Sequence, residues 1–100
     1  MEVLFRSNKL EKWFTRSKEG IRALGPEVGK RYIQRINIIK LARGMDELLI
    51  LPGLKCHPLK GDRAGQFAMA LTGYFRLILT LDSEAPNTVW IEEVSGHYGD

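Results

Sequence analysis

Gln66 to Leu81 read QFAMALTGYFRLILTL, and the apolar period in this stretch is two. Phe67, Met69 and Leu71 alternate with Gln66, Ala68 and Ala70. Thr72-Gly73 is a tight turn, after which Phe75, Leu77, Leu79 and Leu81 alternate with Tyr74, Arg76, Ile78 and Thr80. Two alternating runs joined by such a turn predict a β-hairpin. The Phe75/Leu77/Leu79/Leu81 row is assigned to the core and the Tyr74/Arg76 row to an open face. On either side lie a short strand over Lys55–Leu59, a loop at residues 82–87 (DSEAPN), a last strand over Thr88–Val94, and a polar tail, Ser95–Asp100.

Upstream of this region the period changes to that of a helix. Residues 2–6 (EVLFR) read as a strand. Asn8 with Glu11 three positions later resembles a capping box, and Leu10, Trp13 and Phe14 share a helical face that Gly20 interrupts or ends. Gly25-Pro26-Glu27 restarts a helix, with Pro in the first turn and an acid at the positive dipole end. Val28, Tyr32, Ile36 and Ile39 make its apolar stripe, and Gly44 is its stop, so it spans about residues 26–43. Met45–Gly53 is a connector with a short turn at Asp46–Leu49. Helices grouped before strands define an α+β fold: two N-terminal helices packed on one face of a small, mainly antiparallel sheet, in one domain over residues 1–100.

Composition agrees with a globular domain, at 44% hydrophobic and 27% charged residues. A chain of this length buries roughly two-thirds of its unfolded surface, enough for one core. Apolar runs such as Leu48 to Leu51 are far short of a membrane span. The opening segment has no long apolar stretch of a secretory signal, so no membrane association and a cytoplasmic location are expected. One Cys and two His forty positions apart supply no disulfide framework and no metal cage, and no cofactor is expected. The net charge is +3 and unevenly spread: residues 1–50 hold eleven Lys/Arg against six acids, residues 51–100 four against six. Such asymmetry suits a basic surface for a polyanion and an acidic edge elsewhere.

An Arg projecting from mid-sheet is a fixed guanidinium able to hold phosphate through paired hydrogen bonds, which makes Arg76 the first candidate. Residues 55–65, KCHPLKGDRAG, group Lys55, His57, Lys60 and Arg63 where a strand breaks into a loop. Cys56 points the other way by alternation and reads as a small core residue. The tail carries His97 and Tyr98, types that transfer protons or stack on bases.

Taken together, these stretches resemble the RelE/ParE superfamily of bacterial toxins, most of all the HigB-like plasmid maintenance system killer proteins. The resemblance rests on the MEVLFRS opening, LGPEVGKR at the second helix, LLILPGLKCHPLKGDRAGQFAMAL with its LPGLxxHxLKGDRxGQ core, the GYFRLIL strand, and the closing IEEVSGHY. It implies a RelE-like fold and ribosome-dependent endonucleolytic cleavage of messenger RNA without a metal. It also implies a helix-turn-helix, HigA-like antitoxin through which alone the protein would meet operator DNA. His57 and Lys60 fall on the family's H-x-x-K positions, and Arg76 on its sheet-strand Arg. Many members end in Asp-Tyr-His, whereas this chain has Ser95-Gly96-His97-Tyr98.

On this reading His57, Lys60, Arg76, His97 and Tyr98 are catalytic, and the acid/base is His97, His57 or Glu93. Lys55, Arg63 and Tyr74 contact RNA. Two alternatives share the fold: a ParE-like toxin acting on gyrase, and a non-catalytic protein that binds antitoxin or nucleic acid.

Overall fold

Five strands form one mixed sheet in the order β1-β5-β4-β3-β2: β1 (Glu2–Phe5), β2 (His57–Pro58), β3 (Gln66–Ala70), β4 (Phe75–Leu81) and β5 (Thr88–Gly96). Four helices complete the fold over the described residues: α1 (Asn8–Thr15), α2 (Ser17–Leu24), α3 (Pro26–Leu41) and α4 (Met45–Ile50), with a 3-10 turn at Gly61–Arg63. The computed structural model describes residues 1–96. The α+β class expected from the sequence is the one found. The sheet is mainly antiparallel, β1 running parallel to β5 at one edge.

The hairpin forms where the alternation predicts it, pairing Gln66 with Thr80 through to Ala70 with Arg76. Its turn is held by Thr72, whose hydroxyl accepts from the backbone N–H of Tyr74 (3.3 Å) and Phe75 (3.1 Å). β5 lies beside β4 as in a meander, with a bulge opposite Ile78/Leu79. Tyr32, Ile36 and Ile39 of α3 pack on Met69, Leu71, Leu77, Leu79, Val89 and Ile91 of the sheet. Burying each such side chain is worth about 1.5–3 kcal/mol, so this contact dominates the fold. No helix among the described residues is long and apolar enough to cross a membrane.

The structure departs from the sequence reading in five places. The first helix is two helices, divided at Arg16 (φ −121°, ψ 85°) and not at Gly20. Gly20 sits inside α2, where an added Cβ would lie 2.4 Å from the Trp13 carbonyl oxygen. Its role is close approach. Ser7, not Asn8, caps α1, accepting from the Leu10 N–H at 3.2 Å. The connector contains α4, whose Met45 and Leu48 are buried one turn apart.

The strand placed at Lys55–Leu59 shrinks to two residues, because Lys55 adopts a left-handed conformation (φ 49°) that breaks the extension. Finally, the β4 rows are not cleanly inside and outside. Phe75 and Leu81, at the strand ends, reach past the helices and are exposed, while Ile78 on the opposite row is fully buried with Ala68 across from it. Helices cover only the middle of the strand, and the face away from them is partly covered too.

Candidate functional site

A cleft of about 360 Å³ opens where the β3–β4 hairpin turns. Arg31 and Arg35 of α3, Lys55 and Gly53 of the α4–β2 loop, His57 of β2, and Phe75 and Arg76 of β4 line it. Among the described residues, no Asp or Glu lines it. Left-handed conformations at Gly53 (φ 86°) and Lys55 bend the loop around the sheet edge. The Leu54 carbonyl then accepts from the Ala70 N–H at 2.8 Å, which ties the loop to β3.

Arg31, Arg35 and His57 are oriented by backbone carbonyls. Arg31 donates from Nη1 to the Leu71 carbonyl (2.9 Å). Arg35 donates from Nε to the Ala70 carbonyl (2.9 Å) and from Nη1 to Gln34 Oε1 (2.8 Å). Burial, and then the neighbouring Arg31 charge, push the Arg35 pKa below the ordinary guanidinium value. His57 Nδ1 lies 2.9 Å from the Lys55 carbonyl oxygen. A carbonyl can only accept, so Nδ1 carries a hydrogen and Nε2 is the ring nitrogen left facing outward. Arg76 pairs in register with Ala70 on one side and Ser95 on the other, and is 8% exposed. An open-face Arg was expected to project freely. It is instead largely covered, on the row opposite the Leu77/Leu79 side chains that join the helix-packed core.

The structure thus brings Lys55, His57 and Arg76 into one cleft and leaves Lys60, Arg63 and Tyr74 outside its lining. Arg63 donates to Gln66 Oε1 (2.9 Å) and makes an ion pair with Glu93 (3.4 Å). Glu93, considered as an acid/base from the sequence, is therefore held beside Arg63 and away from the cleft. Lys60 precedes the 3-10 turn at its N-cap. Tyr74, 46% exposed, packs edge-on against Phe75, with ring centroids 4.9 Å apart. Phe75, assigned to the core by alternation, is a cleft residue. His97 and Tyr98 lie outside the described residues; β5 ends with Gly96 paired to Phe75. Cys56 is buried as expected, and burial pushes its thiol up to about 11, which keeps it in the unreactive protonated form at neutral pH.

Sequence reasoning missed Arg31 and Arg35, which lie in the second predicted helix beside its apolar stripe. The available signal was their position: each immediately precedes a core residue of the stripe, Tyr32 and Ile36. A side chain there lies on the flank of the buried face and can reach the sheet edge.

The rest of the open face is electrically closed. Glu92, in the β5 bulge, accepts from Arg6 Nε and Nη2 (3.0 and 2.8 Å) and from the Thr80 hydroxyl (2.6 Å). Arg6 also stacks over Trp90, 4.1 Å from the ring centroid, and Trp90 Nε1 donates to Asp82 (2.8 Å). Backbone hydrogen bonds from Ala85, then the Trp90 and Glu84 N–H groups, hold the Asp82 carboxyl down at about 2. The acids of β5 are thus matched by Arg6 and Arg63.

No family model matches the chain, and no curated protein matches it. Among solved structures, the YoeB/ParE toxin from Agrobacterium tumefaciens superposes with a TM-score of 0.66 at 16% identity, over 98% of this chain and 100% of that one. The YoeB-YefM complex from Staphylococcus aureus gives 0.64 at 18% identity, over 98% of each chain. The DinJ-YafQ complex from E. coli gives 0.58 at 15% identity, over 96% of this chain and 92% of that one. The chain has the fold of the RelE/ParE-like toxins, as its sequence resemblance implied. Its structural neighbours here are YoeB and YafQ toxins, where the sequence pointed most to HigB.

Proposed function

We propose that this protein is the toxin of a type II toxin-antitoxin pair and cuts messenger RNA on the ribosome, in the manner of HigB-like toxins. The observation that carries this reading is the cleft in which two helix arginines, Lys55, His57 and Arg76 converge, with no carboxylate among the described residues that line it. Such a cleft is built for phosphate. The His57 imidazole, its Nδ1–H held by the Lys55 carbonyl, would act as a base through Nε2. It would take the proton of a ribose 2′-OH as that oxygen attacks the adjacent phosphorus. The bond to the 5′ oxygen then breaks, giving a 2′,3′-cyclic phosphate and a 5′-hydroxyl that takes up a proton from an acid.

Arg76 holds the charge that builds on the phosphoryl oxygens, a role worth roughly 2.7–4 kcal/mol per donor at comparable sites. Lys60 extends the positive field along the RNA, and Phe75 with Tyr74 forms an aromatic step on which a base can stack. His97 and Tyr98 are proposed as the acid and a nucleotide-orienting group. The partner that silences the protein is an antitoxin: the YoeB and YafQ neighbours are seen in complexes with YefM and DinJ. A HigA-like helix-turn-helix protein is the form proposed here, on the sequence resemblance.

The test is to add the protein to a translation extract and map messenger 5′ ends by primer extension. Breaks that appear with the native chain, need ribosomes and vanish with Arg76→Ala support the reading. Intact messenger together with blocked DNA supercoiling by purified gyrase would replace it with the ParE-like alternative, the activity class suggested by the YoeB/ParE name of one neighbour.

A further inference from the structure

Arg31 and Arg35 stand one helical turn apart on α3, and both face the cleft. Neither pairs with an acid: the ion pairs among the described residues are Arg6–Glu92, Arg16–Glu19 and Arg63–Glu93. Like charges at this spacing destabilise a helix, and Arg35 is also 9% exposed, so its charge is carried with little water. Anchoring on the Ala70 and Leu71 carbonyls fixes both guanidinium groups but neutralises neither. Each has five N–H donors; Arg31 uses one and Arg35 two in the contacts above. Donors and charge are therefore left over at the cleft wall formed by α3, next to the strand pair that carries Ala70 and Arg76. A cleft near the small end of ligand sites, which run from about 300 to 1,000 Å³, admits one step of a nucleic-acid chain.

We propose that Arg31 and Arg35 form a second phosphate subsite, which grips the phosphodiester next to the one held by Arg76. The cleft then takes a two-phosphate step of RNA. This deepens the RNA-cleaving reading and rests on it for the identity of the chain that is bound. Arg31 and Arg35 bind and position that chain; proton transfer lies with other groups.

The experiment uses short RNA oligonucleotides made uncleavable by a 2′-deoxy group at the reactive position, and measures binding by fluorescence anisotropy. A methylphosphonate, which is uncharged, replaces either the central phosphate or its neighbour. Neutralising the neighbour is expected to weaken binding by the native protein about tenfold, the equivalent of one charge-assisted hydrogen bond. Arg31→Gln should weaken the unmodified oligonucleotide by a similar factor and lose nothing further when the neighbour is already neutral. Arg31→Lys, which retains the charge, should recover much of the affinity, whereas a variant that merely failed to fold would not respond to the phosphate at all. Losing one phosphate contact should also lower the slope of log affinity against log salt by about 0.7. If the effects of Arg31→Gln and the neighbouring methylphosphonate multiply, the subsite is overturned. The readout is separate from cleavage. Coupling seen with a protein that cuts no messenger leaves the phosphate subsite standing and removes the nuclease reading; cleavage without coupling does the reverse.

Discussion

His57 is an exposed residue with one ring nitrogen tied to a carbonyl, so its substitution tests chemistry more than folding. His57→Gln should slow single-turnover cleavage by roughly 10²–10⁴-fold. The change in unfolding free energy should stay within about 0.5 kcal/mol; a large loss of melting temperature would mark the residue as structural. Arg76 differs because it is 8% exposed. Arg76→Ala is expected to lower cleavage by about 10²–10³-fold and also to lower the melting temperature, so the two must be measured side by side. Asp82 makes a third residue-scale prediction. Its carboxyl titrates at about 2 in the folded chain, below its unfolded value, so the charged form favours folding. That contribution is complete above the unfolded pKa of about 3.9 and is lost as pH falls through the folded value. Glu92, lowered chiefly by its Arg6 hydrogen bond, acts in the same direction. Urea midpoints should therefore be flat near neutrality and fall between about pH 4 and 2. In Asp82→Asn the fall should be shallower.

Among the elements, the joints of α2 with α1 and with α3 are tight. An added Cβ at Gly20 would lie 2.4 Å from the Trp13 carbonyl oxygen, and at Gly29 2.7 Å from the Ile21 Cα. Both obstacles are backbone, which cannot rotate away. Gly→Ala inside an exposed helix normally stabilises by about 1 kcal/mol. Here the sign reverses: Gly20→Ala and Gly29→Ala should each cost about 1–3 kcal/mol through overpacking. That is roughly 4–8 °C of melting temperature per kcal/mol in a domain of this size. A neutral or stabilising outcome would mean that α1, α2 and α3 can slide apart. The element joint also bears on the site, since α3 carries Arg31 and Arg35 to the cleft.

Over the whole molecule, charge is sorted. The acids of β5 are matched by Arg6 and Arg63, and Arg31, Arg35, Lys55 and Arg76 gather at the hairpin end of the sheet. The cations of the cleft all lie within residues 31–76, whereas the proposed acid/base groups of the tail follow Gly96. Removing residues 97–100 should abolish messenger cleavage while RNA binding by anisotropy changes little. A truncated chain that cuts at the native rate would pass the whole proton-transfer role to His57.

The sequence by itself determined what depends on neighbours in the chain. Alternation in residues 66–81 specified the hairpin and its turn, because in a strand successive side chains take opposite faces. The Val28/Tyr32/Ile36/Ile39 stripe specified α3 and its buried side, and His57 with Lys55 was legible as a basic group at a strand end. Only the tertiary structure decided what depends on residues far apart. Nothing local announces that β1 runs parallel to β5, or that Glu92 of the bulge meets Arg6. Burial on both faces of β4 erased the simple two-row reading, hiding Ile78 and Arg76 and exposing Phe75. Arg31 and Arg35 belong to the cleft only because α3 crosses the sheet at the end of β3, within reach of the Ala70 and Leu71 carbonyls. The site is an encounter of helix, loop and sheet edge. Its geometry is set by how those pieces pack, which a periodicity carried along one chain does not encode.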